Sequence, residues 1–273
     1  MNKLSKIITY SLIILFICFS IFPILWMVST SIKLPGDIYS IPPKIFTTFT
    51  LQHYKYVLWE TQLVRYFFNS ILISGVATLI SLTLAVFGGY GFARFRFKGK
   101  NVMSIVILFS QMLPTSILLV PLYILLAALK LLDTYQGLIF TYLVFTIPLT
   151  TWILRGFFAA IPSELEEVAM LDGCTRFQAL VKVIIPVSIP AIIATGLYCF
   201  IVAWEEFIFA LSFTNSYRVR TLPIGISNFI GQFGVDWGAI MASSVIVSLP
   251  IIILFMLFYR QFISTFTEGM MTG

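Results

Sequence analysis

The chain has 273 residues, of which 59% are hydrophobic and 10% charged, and its formal net charge is +6. Soluble domains carry about 25% charged residues, so this composition excludes one. One histidine and three scattered cysteines leave no material for a histidine-based catalytic centre, a clustered metal site or a disulfide framework.

The positions of the charges carry more than their number. Residues 7–32, 66–93, 101–129, 134–154, 183–204 and 237–259 contain no Asp, Glu, Lys or Arg. Each window exceeds the roughly 20 residues that a helix needs to cross the hydrocarbon core. The pattern predicts one domain over 1–273 with six transmembrane helices, at about 7–32, 66–93, 101–129, 134–160, 186–212 and 237–259.

The first window follows Lys3 and Lys6 as in a signal peptide, but it is too long for one and lacks a small-residue cleavage site, so it reads as a retained anchor. It breaks before "KLPGD". The external segment that follows carries Pro42-Pro43 and the amphipathic "LQHYKYVLWE", where His53 is expected to be solvated or interfacial. The second span ends in "GGYGFARF", whose glycines permit close helix approach. The third holds Pro114 and Pro121 and is expected to kink. The fourth contains Pro148. The fifth begins near Pro186 or Pro190, and "NSYRVRTLPIGISNFIGQFGVDW" forms the last outer loop before the sixth. Cys18 and Cys199 fall inside spans and Cys174 outside them, and all three read as small packing residues.

Lys and Arg in short loops set orientation. "RFRFKGK", residues 94–100, holds four positive charges and no acid, whereas the loop after the third span holds only Lys130 and Asp133. Both termini and residues 155–182 are therefore expected in the cytosol. The net positive charge follows from such basic loops and calls for no nucleic-acid partner. The phosphate-cradling pattern GxxxxGK[ST] is absent, because Gly99-Lys100 is followed by Asn and lacks the upstream glycine. No cofactor is expected on this chain.

The stretch from Pro162 to Pro186 is polar in an otherwise apolar half. Ser163 with Glu166 three residues on reads as a capping box, and Glu164, Glu166 and Glu167 suit the positive end of a helix dipole. This helix is expected to stop at Gly173, with Leu165, Val168, Ala169 and Asp172 on one face. A second short helix carries Phe177, Leu180, Val181 and Ile184 until Pro186 ends it. Helices this short are marginal alone, so they dock either on their own bundle or on a cytosolic partner. The residues leave both open.

The order Glu167-Val168-Ala169, three residues, Gly173, nine residues, then Val183 to Pro186 resembles the EAA loop of ABC-importer permeases, E-A-A-x3-G-x9-I-x-L-P. Val168, Val183 and Ile185 depart from it by apolar exchanges. The wider "RGFFAAIPSELEEVAMLDG", "RFRFKGK", "AWEEF", "RTLPIGI" and "WGAIMASSVIVSLPIIILF" are similar to the carbohydrate-uptake, maltose-permease-like members. The resemblance implies an all-α, six-span bundle of the type I importer permease class in a bacterial or archaeal cytoplasmic membrane. A cytosolic coupling helix would lie between the fourth and fifth spans.

It implies further that Glu166, Glu167, Ala169, Asp172, Gly173, Phe177 and Pro186 couple to an ATPase. Two cytosolic ATPases would bind ATP and Mg, a second permease subunit (a hetero-partner) would complete the pathway, and an external binding protein would deliver a sugar. Leu222, Pro223 and Gly225 would touch that binding protein, and Trp204, Glu205 and Glu206 would line the pathway. Such permeases usually continue a few residues past a G-x-x-x-G like Gly269–Gly273 into an ATPase-contacting tail; the given sequence stops at Gly273. The alternative is an ion-coupled carrier using Glu205 and Glu206, since acids inside a membrane are costly and often functional. Snorkelling, or pairing with Arg218 or Arg220, would make them structural instead.

Overall fold

The computed structural model describes residues 3–44, 48–232 and 234–271, so Gly273 lies outside it. It is a chain of helices joined by short connections: α1 (Lys3–Ser31), α2 (Pro35–Ile38), α3 (Gln52–Lys55) continuing as a π turn over Tyr56–Glu60, and α4 (Leu63–Arg94). Then come α5 (Lys100–Met112), a 3-10 turn at Thr115–Leu118, α6 (Leu119–Ala128), α7 (Tyr135–Ala160) and α8 (Glu164–Leu171). The helix α9 (Arg176–Ala179) passes through a π turn at Leu180–Ile184 into α10 (Ile185–Trp204). The remaining elements are α11 (Ile208–Phe213), α12 (Leu222–Ser227), a two-residue hairpin of β1 (Ile230–Gly231) and β2 (Gly234–Val235), and α13 (Trp237–Met271). Among the described residues five helices are long and apolar enough to cross a membrane, and the pair α5 with Thr115–Ala128 makes a sixth if that bent pair counts as one span.

Two spans differ from expectation. The third is not a kinked helix but a break, with a 99° bend between its halves. Leu113 is extended at ψ 129°, as a residue preceding proline prefers, and Pro114 cannot donate a backbone hydrogen bond. Proline fails to break the fifth span. The helix runs from Arg176 straight through Pro186 and Pro190, and the π turn at Leu180–Ile184 loosens the hydrogen-bond ladder just where Pro186 lacks its donor. The second short helix is thus the N-terminal end of the fifth span.

Residues 1–67 with 224–249 form one compact unit and residues 68–223 with 250–273 another. In the second unit α4, α7 and α10 pack around Ala85, Tyr90, Leu154, Phe158, Leu180 and Ile184. Gly89 lies so close to α7 that a Cβ there would meet the Arg155 amide at 3.0 Å, as the glycine-rich end of the second span predicts. Thr141, Thr146 and Thr150 are buried on α7 and donate to carbonyls one turn back, and Thr146 also meets Ser81 of α4 at 2.7 Å. Without water, such hydroxyls are satisfied only within the bundle.

The connections of this unit are tied as firmly. Asn69 Nδ2 donates to the carbonyls of Arg218 (2.9 Å) and Arg220 (2.8 Å), and its Oδ1 accepts from Tyr135. Asp133 accepts from the amides of Asn215 and Ser216, both at 3.0 Å, joining the α6–α7 corner to the chain after α11. Burial acts to raise the Asp133 pKa, but these amides, the Ser216 hydroxyl and the charge of Arg220 outweigh it and hold the pKa below its ordinary value.

In the first unit His53 is buried rather than solvated. Its Nε2 lies 3.0 Å from the Lys33 carbonyl and its ring packs on Gly238, where any Cβ would collide.

Candidate functional site

The stretch from Pro162 to Pro186 is built on the ends of α4 and α7 nearest α8. Ser163 makes no cap: its backbone is already helical and its side chain accepts no amide. Glu166 does not reach back to it. Its carboxylate turns inward, with the residue as a whole 3% exposed, accepting the Tyr90 hydroxyl at 2.9 Å and pairing with Arg94 Nε. Arg94 Nη2 also donates to the Ile161 carbonyl at the end of α7 (2.8 Å). One carboxylate and one guanidinium thereby lock α8 to α4 and α7 at once. The capping-box expectation fails because a buried carboxylate gains more from a cation than from an exposed amide. Tyr90 and Arg94 escaped the sequence reading, in which Arg94 counted only as an orienting charge.

Burial of Glu166 and Ala169 turns the rest of α8 outward. Leu165, Val168 (57% exposed) and Leu171 (86% exposed) form an unburied apolar strip, with Glu167 exposed beside it and Asp172 just beyond it. Ala169 therefore faces the bundle and is parted from Leu165 and Val168, with which it was expected to share a face. The helix ends in a Schellman turn, with the Gly173 amide donating to Met170 O at 3.1 Å and the Cys174 amide to Ala169 O at 3.0 Å. Gly173 sits at φ +88°, as the expected stop requires. Thr175 and Gln178 then form a real capping box for the next helix, a T-x-x-Q signal that was legible but overlooked. Phe177 is exposed yet stacks on Phe87 of α4 at 6.4 Å, and Pro186 lies on the helix.

The other expected site residues separate. Trp204 is 1% exposed and stacks on Phe200, closed off from any pathway in this conformation. The helix stops there, so Glu205 and Glu206 occupy a break after α10 and not the interior of a spanning helix. Glu206 caps α11, accepting the amides of Phe209 (2.8 Å) and Ala210 (3.0 Å), while Glu205 stays exposed. Neither forms an ion pair with Arg218 or Arg220 among the described residues. Leu222 is buried, with its amide donating to Ser70, and Gly225 packs against Tyr66, so only half-buried Pro223 of these three is accessible. No cluster of three His, Cys, Asp or Glu side chains able to hold a metal occurs among the described residues.

The helix α8 lies between two spans of a helical bundle, where the EAA resemblance puts a coupling helix, and comparison with known proteins decides the family. The family model for the binding-protein-dependent transport system inner membrane component matches residues 77–267. The chain belongs to this family. It is a multi-pass membrane subunit of a binding-protein-dependent transport system, with no catalytic centre of its own.

The diacetylchitobiose uptake system permease of Streptomyces coelicolor is 36% identical over 93% of this chain and 92% of its own length. The trehalose/maltose transport system permease of Thermococcus litoralis is 37% identical over 93% and 92%. A trehalose transport permease of Mycobacterium tuberculosis is 34% identical over 93% of each. Among solved structures, a chain of a bacterial ABC transporter involved in alginate import superposes with a TM-score of 0.80 at 22% identity, covering 94% of this chain and 96% of the other. That likeness confirms the type I permease fold.

Proposed function

We propose that the chain is half of the membrane pathway of an ATP-driven sugar importer, with both termini in the cytosol of a bacterial or archaeal cell. A second permease subunit completes the pathway, two cytosolic ATPases bind ATP and Mg, and an external binding protein delivers the sugar. The substrate class is supported by the relatives, named for diacetylchitobiose, trehalose and maltose uptake.

The observation that carries the coupling role is the pinned α8. Its Leu165–Val168–Leu171 strip and Glu167 fit a partner cleft with an apolar floor and a basic rim, which a face lying on its own bundle would not require. Movement imposed on α8 by closing ATPases passes through Glu166 to Arg94 and Tyr90, and so to α4. Within the pathway, Glu205 is the exposed group available to a sugar hydroxyl. The surface offered to a binding protein includes Asn215, Tyr217 and Arg218, all exposed, in place of buried Leu222 and Gly225.

The test is uptake by the assembled transporter in vesicles loaded with ATP while the proton gradient is dissipated. Uptake persists on this reading. Its collapse would restore the ion-coupled carrier, whose case is weakened by the engagement of Glu206 as a helix cap.

A further inference from the structure

A cavity of about 800 Å³ lies within the unit formed by residues 1–67 and 224–249, walled by α2, the Gln52–Glu60 stretch and the β1–β2 hairpin. Its size falls in the roughly 300–1,000 Å³ range of small-molecule sites. Its wall is not that of a lipid groove. Tyr56 and Phe229 meet there with ring centroids 6.2 Å apart, tilted by 54°. The side chains of Gln52, Glu60 and Asn228 line it and have no hydrogen-bond partner among the described residues.

The lip is fastened. Tyr39 donates its hydroxyl to the Val235 carbonyl at 2.7 Å, and the Asp236 amide donates to Phe229 O at 3.0 Å. Of the charged groups on the wall, Glu60 and Asp236 outnumber Lys55, which disfavours a phosphate or a carboxylate. Amides and carboxylates that lack partners suit hydroxyl groups, and aromatic faces suit the C–H face of a pyranose. The elements around the cavity join the first span to the second and the fifth to the sixth, which are outer connections in the proposed orientation.

We propose that this cavity is a saccharide subsite at the outer mouth of the transporter, holding one pyranose unit on the Tyr56–Phe229 pair and its hydroxyls on Gln52, Glu60 and Asn228. The proposal rests on the sugar-import reading and adds a site to it on this chain.

The experiment uses the assembled transporter in nanodiscs without binding protein, with radiolabelled maltose, trehalose and diacetylchitobiose as probes in equilibrium dialysis. The same sugars are tested for ATP-driven uptake in vesicles. At least one probe binds saturably, and Tyr56→Ala and Asn228→Ala each weaken it about tenfold, while Tyr56→Phe retains affinity and ATP hydrolysis is unchanged. Wild-type affinity in the Tyr56→Ala/Asn228→Ala double variant overturns the subsite, as does binding that appears only when the binding protein is docked. ATP-driven uptake of a probe with no cavity-dependent binding overturns the subsite alone. Lack of uptake for all three sugars counts against the import reading, and the binding measurements still judge the cavity.

Discussion

Replacing Arg94 with Met, which keeps the aliphatic stem and removes the charge, leaves Glu166 a buried carboxylate with only Tyr90 to donate to it. The two side chains are 11% and 5% exposed, so solvent screens little of the loss. Breaking a buried pair by removing one partner costs about 3–5 kcal/mol. The Ile161 carbonyl loses its donor as well. An eight-residue helix has little stability of its own, so nearly all of this cost falls on the docking of α8. At about 1.4 kcal/mol per tenfold, α8 should open at least a hundredfold more often.

The assay is hydrogen exchange of the purified chain in nanodiscs, comparing the amides of residues 166–173 with those of 141–151 in α7 as an internal standard. The α8 amides should exchange about a hundredfold faster while those of α7 stay put. In the assembled transporter, ATP hydrolysis should continue with less sugar moved per ATP. Adding Glu166→Gln to Arg94→Met removes the stranded charge and should recover part of the protection. If α8 exchange changes less than about twofold, the apolar contacts of Ala169 hold the helix and the ionic lock is incidental.

Further expectations follow from the turn, the Asp133 corner and the loop charges. At Gly173 nothing lies within 4 Å of where a Cβ would stand, so Gly173→Ala costs only the strain of φ +88°, about 1–2 kcal/mol. Gly173→Asn, which tolerates that conformation, should restore most of the ATPase binding lost in Gly173→Ala; equal binding by all three forms would refute the turn's role. Because the Asp133 pKa is depressed in the folded chain, its contribution to stability is complete above its ordinary value of 3.8 and fades as pH falls through the lower folded value. A fluorescent probe at Tyr217 should therefore report loosening of the corner below about pH 4, and Asp133→Asn should remove that transition; an unaltered transition would place the acid sensitivity elsewhere. Single cysteines replacing Lys98 and Gln178 should resist an impermeant thiol reagent in intact cells, and one at Asn215 should react. Labelling at position 98 from outside would invert the topology.

Most of the membrane architecture was legible because lipid acts on each span by itself: a charge-free run of sufficient length crosses whatever its neighbours do. The turn at Gly173 was equally local, since only backbone geometry decides who can sit at φ +88°. Glycine at the end of the second span announced a close crossing for the same reason, the absence of a side chain. What the tertiary structure alone decided were choices among competing partners. Glu166 has a plausible cap three residues upstream, but its true partners lie 76 and 72 residues away on α4, and no local pattern ranks a distant guanidinium above a nearby amide.

Proline followed the same division. Pro114 broke its span and Pro186 did not, because a π turn packed through Leu180 and Ile184 already loosens the ladder at the second site. Trp204 and Leu222 look available in sequence, next to polar residues and in a loop, yet both are enclosed, one against Phe200 and one over Ser70. Hydropathy and spacing are properties of one segment. Burial of a given side chain is a property of the several segments that close around it, which only the folded chain specifies.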